Sequence, residues 1–299
     1  MVEEHWCVNG LHYSKTASIN IPLQRYLPSA IEANGKGIFT MIDCNYLVEI
    51  LTPKKTEAVI DKASINQFAE RYYRIIEHGM GLSVPDNPMG QPRHSLLEMI
   101  EWAGLPVVPQ RTVMNLNTFH TKDELDELLK TAARRRIEYL LIVRGDGGPL
   151  LPKLNPKSIG GSKSVVTSID LIRYINREYA GAFITGAAFN QYNAMPLESQ
   201  RLNLKIEAGA RFVITQPVIG KDANVDALFS FDIPVVVEAW MSKNVELFLK
   251  SVRSSIENFA KGFDPLNNLR MIHKAYPQSC IYLSMLGFRQ SWKAVLPKL

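Results

Sequence analysis

One glutamate interrupts an otherwise apolar run, Leu47-Val48-Glu49-Ile50-Leu51-Thr52-Pro53. A carboxylate in such a run is costly unless it is paired or protonated. Held protonated near neutral pH, Glu49 is a general acid; bridged to a basic side chain of the same core, it is structural. Arg144-Gly145-Asp146 directly follows the apolar run Tyr139–Val143. Gly145 lets the backbone approach a flat ligand, and Asp146 could hold the ring nitrogens of a heterocycle; the same tripeptide also suits a tight turn with a local Arg–Asp bridge. Gln216 both donates and accepts, which fits the edge of a pterin or flavin, or a satisfied core amide. Glu198, Arg201 and Lys205 share one helix face through their i, i+3, i+7 spacing. Their two cations could hold a diphosphate or form a solvated, ion-paired face. Phe189 and Trp240 could stack on a planar ligand or plug an apolar interior.

Other chemistries are disfavoured. The six histidines (His5, His12, His78, His94, His120 and His273) show no paired spacing, so none is assigned to catalysis or to a metal. Cys7, Cys44 and Cys280 form neither a CxxC pair nor a zinc-ligand pattern, and a reducing cytoplasm is the simplest setting. The chain has 299 residues, 46% hydrophobic and 21% charged, as in an ordinary globular protein. No run reaches the ~18 apolar residues of a membrane span, and the start, Met1 to Asn9, has no apolar signal core. The net charge is +5, but the cations are dispersed, and Arg134-Arg135-Arg136 closes a helix-like segment where cations favour the dipole. A small anionic ligand fits this mild excess better than nucleic acid or membrane.

The elements that must position these groups follow a rhythm. Residues 1–36 read as an irregular arm, with Gly10, Pro22, Pro28 and Gly35 and no sustained period. From 37 onward, short apolar runs alternate with amphipathic segments. The runs are Tyr46–Leu51, Gly81–Val84, Pro106–Gln110, Tyr139–Val143, Ala182–Ala187, Arg211–Thr215, Pro234–Glu238 and Ser279–Ser284. Strands buried on both faces read this way. The expected helices are Thr56–Glu77, Arg93–Ala103, Lys122–Arg135, Ser168–Tyr179, Pro196–Ala208, Asn224–Phe229, Lys243–Ile256, Pro265–Ala275 and Phe288–Leu296. Thr121 with Glu124 forms a capping-box pattern, Ser242 can cap the following helix, and Gly104 and Gly209 stand where helices should stop. Eight such pairs predict an α/β fold, a (β/α)8 TIM barrel over 37–299 with an N-terminal extension. A doubly wound sheet would need a phosphate-binding glycine pattern that is absent. In a barrel the strand ends share one mouth, which gathers Glu49, Asp146 and Gln216, and Gly147–Ser164 reads as a loop over it.

In order, these strand ends resemble the methylenetetrahydrofolate reductase family. Val48-Glu49-Ile50-Leu51-Thr52-Pro53-Lys54 resembles its Phe-Glu-Phe-Phe-Pro-Pro-Lys, and Val143-Arg144-Gly145-Asp146 its Leu-Arg-Gly-Asp. Lys205-Ile206-Glu207-Ala208-Gly209-Ala210-Arg211-Phe212-Val213-Ile214-Thr215-Gln216 matches Lys-x-x-Ala-Gly-Ala-x-x-x-Ile-Thr-Gln, and Ala187-Ala188-Phe189 resembles Ala-Ala-Tyr. The resemblance implies a barrel that binds FAD and a reduced folate, with hydride passing from NAD(P)H through flavin to methylenetetrahydrofolate, giving 5-methyltetrahydrofolate. By position, Glu49 would be the general acid that opens the folate's one-carbon bridge, Asp146 would contact the pterin and tune the flavin, and Gln216 would bind the folate, with Trp240 beside the substrate. Arg144, Gly145, Asp146, Ala187, Phe189, Glu198, Arg201 and Lys205 would lie along the FAD.

The chain departs from the family pattern at three places. The family's Thr-Tyr-Gly-Ala becomes Val84-Pro85-Asp86-Asn87-Pro88-Met89-Gly90, its His-Leu-Thr-Cys becomes Gln110-Arg111-Thr112-Val113, and its Tyr-Pro-Glu-x-His becomes Phe189-Asn190-Gln191-Tyr192-Asn193. Most of these positions serve the flavin. The alternative expectation is therefore an accessory folate-binding or partner-dependent subunit with weak or no flavin binding. A homo-oligomer or a partner subunit is compatible with either.

Overall fold

The computed structural model of the chain describes residues 6–8, 11–13, 44–55, 60–252, 262–289, 291, 292 and 296. It divides into two units, Met1–Ile38 and Phe39–Leu299. In the first, expected to be an irregular arm, the described residues pair as an antiparallel hairpin of β1 (Trp6–Val8) and β2 (Leu11–Tyr13).

The second unit is built on eight parallel strands. They are β3 (Tyr46–Glu49), β4 (Gly81–Val84), β5 (Thr112–Leu116), β6 (Tyr139–Ile142), β7 (Ile184–Phe189), β8 (Phe212–Pro217), β9 (Val235–Trp240) and β10 (Ile281–Ser284). They close in chain order, with β10 paired to β3. The helices between them are α1 (Lys62–Glu77), α2 (Leu96–Ala103), α3 (Lys122–Arg134), α4 (Ser168–Glu178), α5 (Met195–Glu207), α6 (Ala223–Asp226), α7 (Val245–Val252) and α8 (Pro265–Ala275). This is the expected (β/α)8 barrel. Residues 56–59 and 253–261, and residues 290 and 293–295 of the expected last helix, lie outside the described residues. No described helix is long and apolar enough to cross a membrane.

The period of two along each strand splits the core into two layers. Val48, Leu82, Met114, Leu140, Ala187, Val213, Val237 and Leu283 face outward onto the helices. Leu47, Val113, Tyr139, Leu141, Phe212, Ile214, Val236 and Tyr282 face the lumen. The helices present matching stripes. In α1, Phe68, Tyr72, Ile75 and Ile76 are buried, and this i, i+4, i+7, i+8 pattern covers one face. The Thr121–Glu124 capping box starts α3 as expected, and Gly104 ends α2 at φ 61°.

Two expectations are corrected. The third barrel strand is Thr112–Leu116, not Pro106–Gln110. Pro106 and Pro109 lack the amide donors a central strand needs, and Asn115 breaks the apolar look of the true strand. The cap of α7 is Asn244, whose side chain accepts from Leu247 N at 2.9 Å, while Ser242 accepts from Asn244 N at 3.1 Å. The structure also brings Cys44 and Cys280 together across 236 residues, as free thiols 3.9 Å apart.

Gly186 marks where the lumen has no spare room. A Cβ there would overlap the ring of Phe212, which is fully buried. Gly186→Ala is expected to destabilise the barrel by about 1–3 kcal/mol, read as a lower urea midpoint at unchanged slope; an unchanged midpoint would show that Phe212 can yield.

Candidate functional site at the barrel mouth

Glu49 is the last residue of β3 and points inward above Leu47. Its Oε2 accepts from the Tyr282 hydroxyl at 3.0 Å. The amide of Met285, a residue at φ 59° just beyond β10, also reaches it, and Arg93 acts on it at longer range. No Lys, Arg or His pairs with Glu49 directly among the described residues. Burial pushes its carboxyl up, while Tyr282, Met285 and Arg93 pull it down; the balance is a raised pKa. On the neighbouring strands the Ser83 hydroxyl donates to Asn115 Oδ1 at 2.9 Å. Polar groups of β3, β10, β4 and β5 thus lie above an apolar floor.

Gln216 stands near the end of β8, two residues past the inward-facing Ile214. Gln191, 2% exposed, clamps the backbone around it: its Nε2 donates to the Gln216 and Pro217 carbonyls at 2.9 and 3.1 Å, and its Oε1 accepts from Gln216 N at 3.2 Å. The β8–β9 register slips there, between Ile214 and Pro217. Among the described residues the Gln216 side-chain amide has no hydrogen-bond partner, so it remains available to a ligand.

Asp146 lies beyond β6, in an exposed turn. Its Oδ2 accepts from Met89 N at 3.0 Å. The segment Asn87–Gly90 packs so closely on this turn that a Cβ at Gly90 would overlap the Gly147 carbonyl, and one at Gly147 would meet the Phe119 ring at 2.7 Å. Gly145, at φ 82°, stands against Asn117 and Phe119, and Arg144 is exposed. Glu49 therefore lies in the lumen and Gln216 at the end of β8, whereas Asp146 is tied to the β4 side.

The residues expected along a cofactor are placed differently. Ala187 and Phe189 turn outward and are buried among the helices. Lys205 donates to the Ala188 carbonyl at 2.6 Å and lies 3.9 Å from the buried Glu198, which also accepts from Asn190 N and Asn193 Nδ2; Arg201 stands 3.5 Å from it. That set ties α5 to the end of β7. Trp240 is buried in a separate cluster with Phe248 and Val252, and its indole N–H has no partner among the described residues.

The corrected third strand moves its functional end to Asn115-Leu116-Asn117-Thr118, leaving Gln110-Arg111-Thr112-Val113 at the opposite end. It also brings in His120, which was assigned nothing. His120 Nε2 is 2.7 Å from Asp86 Oδ2, which accepts from Asn117 N as well at 2.9 Å. Burial opposes a charge on His120, but the hydrogen bond and charge of Asp86, with Glu124 behind, outweigh it and raise the imidazole pKa. The pair borders a cleft of about 480 Å³ lined in part by Lys55, Arg93, Glu98 and Glu124. That cleft takes in none of Glu49, Asp146 or Gln216. Tyr282 and Glu238 were likewise given no role, although strict alternation puts Tyr282 with Ser284, and Glu238 with Val236, on inward faces.

A family model described as methylenetetrahydrofolate reductase matches residues 41–238. The chain belongs to the methylenetetrahydrofolate reductase family. No curated protein matches the sequence. Solved structures with a similar course include a 2,3-dimethylmalate lyase of the PEP mutase/isocitrate lyase superfamily (TM-score 0.44, 11% identity, 81% of this chain and 76% of that one). Another is the 7,8-dihydropteroate synthase of Vibrio fischeri (TM-score 0.43, 13% identity, 82% and 88%). Likenesses this distant carry no argument about chemistry. Family membership suggests an oxidoreductase with a folate substrate.

The Asp86–His120 pair makes a sign-definite prediction. A raised His120 pKa contributes stability that is full below the ordinary value of 6.5 and is lost as pH rises through the folded value. Asp86→Asn should lower the His120 midpoint in an NMR titration and flatten that part of the stability–pH curve. An unmoved midpoint would remove Asp86 as the cause.

Proposed function

We propose that the mouth of the lumen is the folate site of a methylenetetrahydrofolate reductase-like oxidoreductase that interconverts 5,10-methylenetetrahydrofolate and 5-methyltetrahydrofolate. The observation that supports this reading is Glu49, an inward carboxyl with a raised pKa, hydrogen-bonded to Tyr282, with the unpartnered Gln216 amide at the end of β8. Gln216 would hold the edge of the pterin, and Glu49 would supply the proton that lets the ring nitrogen leave as the one-carbon bridge opens. Asp146, tied to Met89 N, would meet the pterin only at the rim.

The family implies FAD and NAD(P)H. The residues carried over to the FAD do not form a cradle for it. Phe189 and Ala187 face the outer core, Lys205 and Glu198 are spent on the β7–α5 junction, and the turn at Gly145–Gly148 is covered by Asn87–Gly90 and Phe119. This same observation favours a second reading, an accessory folate-binding or partner-dependent subunit whose reducing equivalents come from another chain.

The test uses purified protein with 5-methyltetrahydrofolate. Folate should bind, and Glu49→Gln should lower turnover by about 10²-fold or more, whether turnover needs only added FAD and NAD(P)H or also a partner subunit. Full turnover in Glu49→Gln would remove Glu49 from the mechanism. Absorbance of bound flavin near ~450 nm would favour the self-sufficient reductase, and colourless protein active only with a partner would favour the subunit.

A further inference from the structure

The seam at which the barrel closes carries two thiols that the folate reading does not use. Cys44 stands just before β3 and Cys280 directly before β10, at the end of the barrel opposite the mouth. Their Sγ atoms are 3.9 Å apart across 236 residues of sequence. Both side chains are half-buried and pack against the lumen layer. The bare backbone of Gly81 leaves room for the Cys44 thiol, since a Cβ there would come within 2.7 Å of its sulfur.

The backbone beside both cysteines is fixed by the barrel ladder. Ile281 N donates to the Asn45 carbonyl at 2.9 Å, and Val237 N donates to the Cys280 carbonyl at 3.1 Å. β10 and β3 run parallel with Ile281 opposite Tyr46. One step back along that register sets Cys280 opposite Asn45, one residue from Cys44. Strands ~4.8 Å apart with an offset of ~3.3 Å put the two α-carbons about 6 Å apart, within the ~4.4–6.8 Å that a disulfide spans. Side-chain rotation, without a backbone shift, is then enough to bring the sulfurs to bonding distance.

We propose that Cys44 and Cys280 form a reversible disulfide when the chain meets a small peroxide, stapling the first barrel strand to the last. The contact with Cys44 and burial push the Cys280 thiol up, which makes Cys44 the first sulfur to react. Its sulfur attacks one peroxide oxygen; an S–O bond forms, the O–O bond breaks, and the leaving hydroxide takes the Cys44 proton as water, leaving a sulfenic acid. The Cys280 sulfur then attacks the Cys44 sulfur; the S–S bond forms, the S–O bond breaks, and the hydroxyl leaves as water with the Cys280 proton. Two thiols are oxidised and one peroxide is reduced to two waters. The staple crosses the same β3–β10 pairing that the Glu49–Tyr282 hydrogen bond needs, but at the far end, so it holds the barrel closed without entering the mouth. It does not depend on the folate reading.

The full chain, reduced and then treated with hydrogen peroxide, tests this. Peptide mapping without reductant should show Cys44 joined to Cys280 within one chain. The melting midpoint should rise by about 5 °C or more over that of Cys280→Ser given the same treatment. Dithiothreitol should reverse both effects. Cys7→Ser should behave as the unmutated chain does, whereas Cys280→Ser should form no link. Should Cys280→Ser not fold, the map of the unmutated chain and the fall of its midpoint on reduction still decide. No Cys44–Cys280 link, a link through Cys7 instead, sulfinic acid at Cys44 in its place, a link that leaves the midpoint unmoved, or one that dithiothreitol does not release would overturn the proposal.

Discussion

A carboxylate inside an apolar barrel has to be solvated by protein, and the mouth of this molecule is arranged around that constraint. Glu49 stands half-buried at the end of β3, and no direct cation is supplied among the described residues. Tyr282 donates to it from the last strand, 233 residues away in sequence, and the Met285 amide adds a second donor. These bonds exist only if β10 pairs with β3, so barrel closure and the state of Glu49 are one requirement. The constraint also explains the neighbours: Ser83 and Asn115 bond each other on the next strands, whereas the layer beneath is aliphatic and aromatic. A polar layer of this kind specifies a geometry as well as satisfying its members.

The β4 side of the mouth is built on close backbone approach. Gly90, Gly147 and Gly148 touch where side chains could not fit, and the Met89 amide takes Asp146. Asp86 binds the ends of β4 and β5 through Asn117 and His120. The chain itself closes the contact between Gly90 and Gly147, while a cleft of about 480 Å³ opens beside Asp86 and His120. The acid position faces the lumen, while Ala187, Phe189, Glu198 and Lys205 are packed about β7 and α5.

Much of the fold was legible because barrel strands and amphipathic helices have different periods, and seven of the eight strands were found by that signal. The third was missed because Val107-Val108 between prolines looks more strand-like than Thr112-Val113-Met114-Asn115-Leu116, in which Asn115 is an inward hydrogen-bonding residue. That slip hid His120. Glu49 and Gln216 were legible because each is a polar residue in or at the end of an apolar run. The face of Phe189 was not legible because an aromatic at a strand end carries no mark of it; counting alternation from Gly186 puts it in the outer core. Tyr282 and Glu238 were in view, but only closure of β10 on β3 and β9 reveals that they meet Glu49.

The central claim, that reduced folate is held at the lumen mouth by Glu49 and Gln216, is tested most directly by a crystal structure with 5-methyltetrahydrofolate bound. The account predicts a pterin ring within hydrogen-bonding distance of both side chains, over the Tyr282 hydroxyl. A folate seated in the α2–α3 cleft beside His120, with Glu49 and Gln216 untouched, would contradict it.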